Sequence, residues 1–362
     1  MLPNQVIQSA IEELRNITKI DLCVMDVQGT VLASTTEQIG ILQDIVREFA
    51  ACAADSQAVN GHFLFKVTQE EEAAYLILSK GGENAYMTGR IAASQIRQLM
   101  AAYKERLDRD SFLQNLILDN LLLVDIHNRA KRLHIPAEAD RAVLLIETAA
   151  DDDMDIMELM KGLFLAYNGD YLITVEERNI ILIKALSEGD GYEVLQNTAE
   201  MIVDMVNSEA MVNVRVSYGT IVHELKDVSK SFKEAKLALE VGKIFYIERD
   251  VTAFHRLGIG RLIYQLPENL CRIFIQEVFG SDTMPKEIDE EILTTVQKFF
   301  ENNLNISETA RKLFIHRNTL VYRIDKVQKA TGLDMRIFED ALTFNIALMV
   351  VNYLKYVESV NS

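Results

Sequence analysis

Cysteine is scarce in this 362-residue chain: Cys23, Cys52 and Cys271 stand far apart, with no Cys-x-x-Cys and no His/Cys cluster. Such spacing excludes a disulfide scaffold and a zinc site, and a reducing cytoplasm is the expected setting. Long apolar runs are missing as well. A membrane-spanning helix needs about 18 or more uninterrupted apolar residues, and the most apolar stretch, 341–354, is broken by Thr343, Asn345 and Asn352. Met1-Leu2-Pro3-Asn4-Gln5 shows no basic region followed by an apolar run, so no signal peptide is expected. Basic charge is in deficit: 37 Lys and Arg face 54 Asp and Glu, a net −17. That average excludes a protein that coats nucleic acid or a membrane surface broadly. It leaves room for a small basic patch.

Catalytic signatures are also lacking. The six histidines, His62, His127, His134, His223, His255 and His316, form no HxH or HExxH pattern. No GxSxG or Walker loop occurs, and Gly258-Ile259-Gly260 lacks the third glycine of a dinucleotide fingerprint. Neither a metal nor a cofactor is expected. What remains is ample: hydrophobic residues make up 49% of the chain and charged residues 25%, enough for real cores. The length suits two or three domains at about 150 residues each.

An amphipathic helix opens the chain, with Val6, Ile7, Ala10, Ile11 and Leu14 on one face. Asp21-Leu22-Cys23-Val24-Met25-Asp26 and Thr30-Val31-Leu32-Ala33-Ser34 flank a Gln28-Gly29 turn and read as a β-hairpin. Further strands are expected at 62–67 and 74–79, with Gly81-Gly82 turning towards 86–88. Helices at both ends of a small antiparallel sheet give a sensor-like α+β domain. From Ile91 to about Leu133 the period is helical, through Ile96, Leu99, Tyr103, Leu107, Leu113, Leu116 or Ile117, and Leu121. This connecting helix either pairs with a second copy or packs on its own domain.

A second α/β unit follows Pro136. Strands are expected at 142–147, 171–175, 179–184 and 212–218, and helices at 154–167, 192–207 and 228–241. Gly258, Gly260, Pro267, Gly280 and Pro285 mark a boundary. Residues 286–362 read as wholly helical, with Ile292, Val296 and Phe299 or Phe300 on one face, and a last helix from Ile337 through Tyr356.

Between those helices lies the most informative stretch, 305–327. Ser307 suits an N-cap for a short helix that turns Ala310 and Leu313 inward. Asn318 or Thr319 can cap a second helix whose Leu320, Ile324 and Val327 face inward. A short turn holding Phe314-Ile315 would join them as a helix-turn-helix. The outward face then carries Thr319, Tyr322, Arg323 and Lys326, with Arg317 at its start. Arginine can bond a guanine edge bidentately, while hydroxyl, amide and lysine groups anchor phosphates. Residues 308–336 hold seven Lys or Arg against three Asp or Glu, a local +4, so the rest of the chain sums to −21. The plainer alternative is a helical hairpin with a solvated basic face.

The run Ala310-x-x-Leu313-Phe314-Ile315-His316-Arg317-Asn318-Thr319-Leu320-x-Tyr322-Arg323 closely resembles the C-terminal helix-turn-helix signature of the PucR and carbohydrate-diacid regulator (CdaR) families of transcription regulators. Val216-Ser217-Tyr218-Gly219 and Ser231-Phe232-Lys233-Glu234-Ala235-x-x-Ala238-Leu239 resemble the end of their central domain, a degenerate GGDEF-type fold. Phe112-Leu113-Gln114-Asn115-Leu116-Ile117-Leu118 resembles the helix that introduces it. Val24-Met25-Asp26-x-x-Gly29-Thr30-Val31-Leu32-Ala33-Ser34, Ile39-Gly40 and Thr88-Gly89 resemble the sugar-diacid recognition domain. The family's arginine before Ile-Gly is Gln38 here, and Ile41-Leu42-Gln43 stand where its histidine follows. That removes the natural bidentate partner of a carboxylate, a part that Arg90 or Arg47 would have to take.

A cyclase would need a Gly-Gly turn for phosphate approach, and Thr174-Val175-Glu176-Glu177-Arg178-Asn179 has none. Glu147 with Asp151 and Asp153 offers carboxylates for Mg²⁺, although such an acidic run is ordinarily a solvated loop leading into a helix. The resemblance implies a multi-domain α+β regulator and not an enzyme. Its parts would be a PAS-like ligand-sensing domain (1–105), a connecting helix (106–135), a degenerate GGDEF-like α/β domain (136–255), a linker (256–285) and a PucR-type helix-turn-helix domain (286–362). Arg311, Lys312, His316, Arg317, Asn318, Thr319, Tyr322, Arg323 and Lys326 would meet double-stranded DNA, and Asp26, Ser34, Arg47 and Arg90 an effector, an organic or sugar acid. A cytoplasmic homodimer without cofactor is expected, controlling carbohydrate-acid or related metabolite genes. The competing functions are a nucleotide cyclase or hydrolase with a helical appendage, and a protein-interaction adaptor whose helix-turn-helix does not bind DNA.

Overall fold

The computed structural model describes residues 2–361 apart from 37–42, 70–71, 82, 149–152, 165–168 and 177–178. It divides into two compact units, Met1–Phe112 and Leu113–Ser362. Among the described residues, no helix is long and apolar enough to cross a membrane.

The first unit opens with α1 (Asn4–Thr18), which buries Ile7, Ala10, Ile11 and Leu14 and leaves Val6 exposed. The expected hairpin forms from β1 (Asp21–Met25) and β2 (Val31–Ser34), followed by α2 (Gln43–Ala51), β3 (Ser56–Val59), β4 (His62–Gln69) and β5 (Glu72–Lys80). All five strands pair antiparallel in the order β2-β1-β5-β4-β3. Alternation splits the strand residues between two faces. Phe65, Val67, Tyr75 and Ile77 pack with residues of α1 and of α3 (Glu83–Ile117), whereas Leu64, Leu76 and Leu78 pack with Val46 and Phe49 of α2. Residues 86–88, expected to follow a turn, lie in the first turns of α3 instead, and Thr88 Oγ1 donates to the Asn84 carbonyl at 2.9 Å.

The helical stretch expected to run unbroken from Ile91 to about Leu133 is two helices. α3 ends at Ile117, and α4 covers Leu123–Arg132. Asp119 adopts φ +62, and its N–H bonds the Leu116 carbonyl while Asn120 N bonds Asn115 O, so the backbone closes on itself and stops the helix.

The second unit continues with β6 (Glu138–Thr148), α5 (Asp153–Phe164), β7 (Tyr171–Glu176), β8 (Asn179–Ala185), α6 (Tyr192–Glu209), β9 (Val214–Tyr218), β10 (Val222–Glu224), α7 (Val228–Phe245) and β11 (Val251–Ala253). The sheet order is β11-β9-β6-β8-β7, with β10 also on β6; among the described residues β11–β9 is the one parallel pair. Ile156 and Met160 of α5 and Leu195, Ala199 and Ile202 of α6 pack on Leu144, Ile146, Leu182, Val216 and Tyr218. The other face meets α7. There Ser217 Oγ donates to Ala235 O, Ser231 Oγ donates to Thr220 O, and Val143 N donates to Ser231 Oγ. Glu234 accepts from the backbone N–H and the hydroxyl of Thr220. A Cβ on Gly219 would collide with the Ser231 carbonyl. The paired motif around 216–219 and 231–239 is therefore a lock between strand and helix.

Residues 256–285, expected to be a linker, carry α8 (Ile259–Tyr264) and α9 (Glu268–Phe279). Three of the five residues read as breakers are their ends: Gly258 (φ +52) precedes α8, Pro267 precedes α9, and Gly280 (φ +68) closes it, whereas Gly260 is buried inside α8. Then come α10 (Glu290–Glu301), α11 (Ile306–Lys312), α12 (Arg317–Thr331) and α13 (Phe338–Asn361). The last helix serves two cores. Phe344 and Leu348 join Ile292, Val296, Phe299, Ala310, Leu320, Ile324 and Val327, whereas Ala347, Val350, Val351 and Leu354 pack on Ile263, Cys271 and Ile275.

Candidate nucleic-acid interface

α11 and α12 form the expected helix pair, with corrections at both starts. Asn305, not Ser307, caps α11: its Oδ1 accepts from Glu308 N at 3.0 Å. His316, not Asn318 or Thr319, caps α12, its Nδ1 accepting from Asn318 N at 3.2 Å. The turn between them is a closed helix end. Phe314 N bonds Arg311 O at 3.2 Å and Ile315 N bonds Ala310 O at 3.0 Å, with Phe314 at φ +55. This pattern puts Phe314 at the left-handed position where glycine is usual.

Leu320, Ile324 and Val327 bury the inner stripe of α12 as expected. Its outer surface differs from the expectation. Arg323 is only 15% exposed. It bonds Thr295 Oγ1 at 2.9 Å and the Glu291 carboxylate, both on α10. Lys326 Nζ lies 3.6 Å from Asp289. The Asp289 carboxyl is held below the usual carboxylate range, chiefly by the N–H of Ile292, with Lys326 adding to it. Two cations expected to point outward are thus engaged by the acidic start of α10. Arg323 follows Leu320 by three residues, which places it beside the buried stripe and not opposite it.

The residues that do face outward are Arg317, Asn318, Thr319 and Tyr322, the last 67% exposed. Lys329, which the sequence pattern alone did not single out, belongs with them. It lies seven residues, about two turns, beyond Tyr322 on the same face, is exposed, and has no ion pair among the described residues. Arg317 is likewise without one. Arg336 ties down the outward acid Asp325 at 3.1 Å. On α11, Arg311 pairs with Glu308 at 2.7 Å, lowering the Glu308 carboxyl and raising the Arg311 guanidinium, and Lys312 donates to Asn302 at 2.6 Å. The result is a helix face with free cations at either end and hydroxyl and amide groups between, suited to phosphate and base edges.

The four expected effector residues do not form one cluster. Asp26 organises the β1–β2 turn, accepting from Gln28 N at 2.9 Å and Thr30 N at 2.8 Å. Burial acts to raise its carboxyl, but the bonds from Thr30, Gln28 and Gly29 outweigh it and hold the carboxyl below the usual range. Arg47 meets the same turn, donating to Gln28 O at 3.1 Å. Ser34, at the far end of β2, donates to Thr36 O at 2.6 Å. Arg90 is exposed on α3 and makes no hydrogen bond or ion pair among the described residues. The Gln38-Ile39-Gly40-Ile41-Leu42 segment lies outside the described residues, as do Asp151, Asp152, Glu177 and Arg178. Glu147, weighed as a Mg²⁺ ligand, instead accepts from Lys243 Nζ at 2.6 Å.

Residues 292–350 match the PucR C-terminal helix-turn-helix domain, and residues 120–241 match the GGDEF-like domain. The Purine catabolism regulatory protein of Bacillus subtilis (strain 168) is 23% identical over 94% of this chain and 70% of its own. The Carbohydrate diacid regulator of Escherichia coli (strain K12) is 24% identical over 96% of this chain and 98% of its own. The Proline-responsive transcriptional activator PutR of Bacillus subtilis (strain 168) is 21% identical over 63% of this chain and 57% of its own. The chain thus carries a GGDEF-like domain followed by a PucR C-terminal helix-turn-helix domain, and it is similar along nearly its whole length to the Purine catabolism regulatory protein and the Carbohydrate diacid regulator.

Proposed function

We propose that this chain is a ligand-responsive, DNA-binding transcription regulator that reads duplex DNA with α12. The observation that carries this reading is the outward face of that helix, where Arg317 and Lys329 stand free of acid among Asn318, Thr319 and Tyr322 in a chain of net −17. His316 sits at the helix entrance, and Arg311 and Lys312 flank it on α11. Arg323 and Lys326 are reassigned: they brace α12 against α10 and reach DNA only by leaving Glu291 and Asp289.

The five-stranded antiparallel sheet with helices on both faces supports a PAS-like sensor over 1–105. Its effector is a small organic or sugar acid, a class supported by the relative named for carbohydrate diacids. The regulated genes are those for using such an acid or a related metabolite. The middle domain (136–255) is non-catalytic and transmits the ligand state, in keeping with the missing Gly-Gly at 174–179. The protein works in the cytoplasm as a homodimer, because one short helix reads few base pairs and paired half-sites lengthen the readout. Ligand control follows from different effector affinities in DNA-competent and incompetent arrangements.

Recovery of genomic fragments bound by the full chain tests this. Enrichment of a few promoter regions beside metabolite-utilisation genes, with binding altered by the corresponding acid, is the expected result. Fragments recovered at random, or turnover of GTP or ATP with Mg²⁺, contradict it. The adaptor reading predicts a protein captured through the C-terminal helices with no DNA beside it.

A further inference from the structure

Phe314 combines two features that folding alone does not favour. The residue is 96% exposed, and its backbone holds φ +55. A single exposed apolar residue is ordinary on a protein surface. A bulky residue at positive φ is not. Glycine or asparagine would take this turn with less strain and would present no apolar surface to water. Cations also flank the position: Arg311 and Lys312 precede it and Arg317 follows it, all exposed at the entrance to α12. Leu304 of the same domain also takes a positive φ, +62, but its side chain packs against the core around Phe299 and Phe344, whereas that of Phe314 packs on none.

We infer that Phe314 is a specificity-determining DNA contact, an apolar side chain set among cations to meet the apolar edge of the duplex: a thymine methyl or a deoxyribose face. The inference rests on the DNA-reading assignment of α12 and adds to it a residue that recognises without hydrogen bonds. The flanking cations fix phosphates and so bring the turn against the duplex, where water leaves the ring. Apolar contact with the thymine methyl is one of the ways in which sequence is read. The strained turn is thus retained at a functional position, and relieving it favours the fold while harming binding.

The test uses the full-length chain and duplexes that the wild type selects from a random-sequence pool. Dissociation constants are measured for wild type, Phe314→Ala and Phe314→Gly, alongside their melting temperatures. The expected result is a tenfold or greater loss of affinity in both variants, with Phe314→Gly melting no lower than wild type. The same duplexes with deoxyuridine in place of thymidine lack the methyl. Weaker wild-type binding to them, with Phe314→Gly indifferent, assigns the contact to thymine; equal wild-type binding with the variants still impaired assigns it to the sugar. Affinities within twofold of wild type in both variants overturn the inference while leaving the reading of α12 intact. A wild-type chain that selects no duplex overturns both.

Discussion

Arg317 and Arg323 sit on one helix and do different work. Arg317 lies in the first turn with no acidic partner among the described residues, whereas Arg323 is clasped by Glu291 and Thr295. Arg323→Ala removes a largely buried charge-assisted bond and is expected to cost about 1–3 kcal/mol of stability, read as a lower denaturation midpoint. Arg317→Ala is expected to leave that midpoint within about 0.5 kcal/mol and to weaken DNA binding instead. Equal stability loss in both variants contradicts this division. Both arginines were legible as candidates from the basic composition of the helix. Their ranking was not, because Arg323 is diverted by residues 28 and 32 positions earlier that only the fold brings to it. Lys329 was legible from its seven-residue spacing to Tyr322, provided the outward face is followed to the last turn of the helix.

At the scale of elements, the helix pair was legible because Ala310, Leu313, Leu320, Ile324 and Val327 carry a clear inward period. Their starts were not, since Asn305, Ser307, Asn318 and Thr319 all suit an N-cap. The choice is made by the preceding backbone: Asn303 and Leu304 take φ +52 and +62, and Leu304 N closes on Phe299 O at 3.0 Å, so α11 begins directly after Asn305. Asn305→Ala is expected to lower stability by about 1 kcal/mol, and Ser307→Ala by less than about 0.5 kcal/mol, in denaturant titration. The reverse order would make Ser307 the cap. Short edge strands such as β3 and β11, and the helices α8 and α9, escaped the sequence for a related reason. Glycine and proline punctuate a chain, but the same residues that end a loop also cap a helix. The 216–239 lock makes its own prediction: Gly219→Ala forces a Cβ into the Ser231 carbonyl. It is expected to cost more than about 2 kcal/mol, measured as a lowered melting temperature with loss of the middle domain's cooperative transition.

Over the whole molecule, charge separates the body from the reading head. The chain outside 308–336 sums to −21 and that stretch to +4. On the proposed reading, the acidic body suppresses indiscriminate coating of DNA and affinity comes from the few cations that α12 leaves free. The most direct measurement is the salt dependence of binding to a recovered genomic fragment, for the full wild-type chain and for Arg317→Ala with Lys329→Ala. Removing one cation that neutralises a phosphate should take about one unit from the slope of log affinity against log salt. The double variant is therefore predicted to bind at least tenfold more weakly, with a slope shallower by about two, at unchanged stability. Unchanged affinity and slope in that variant would contradict the assignment of α12 as the DNA-reading helix.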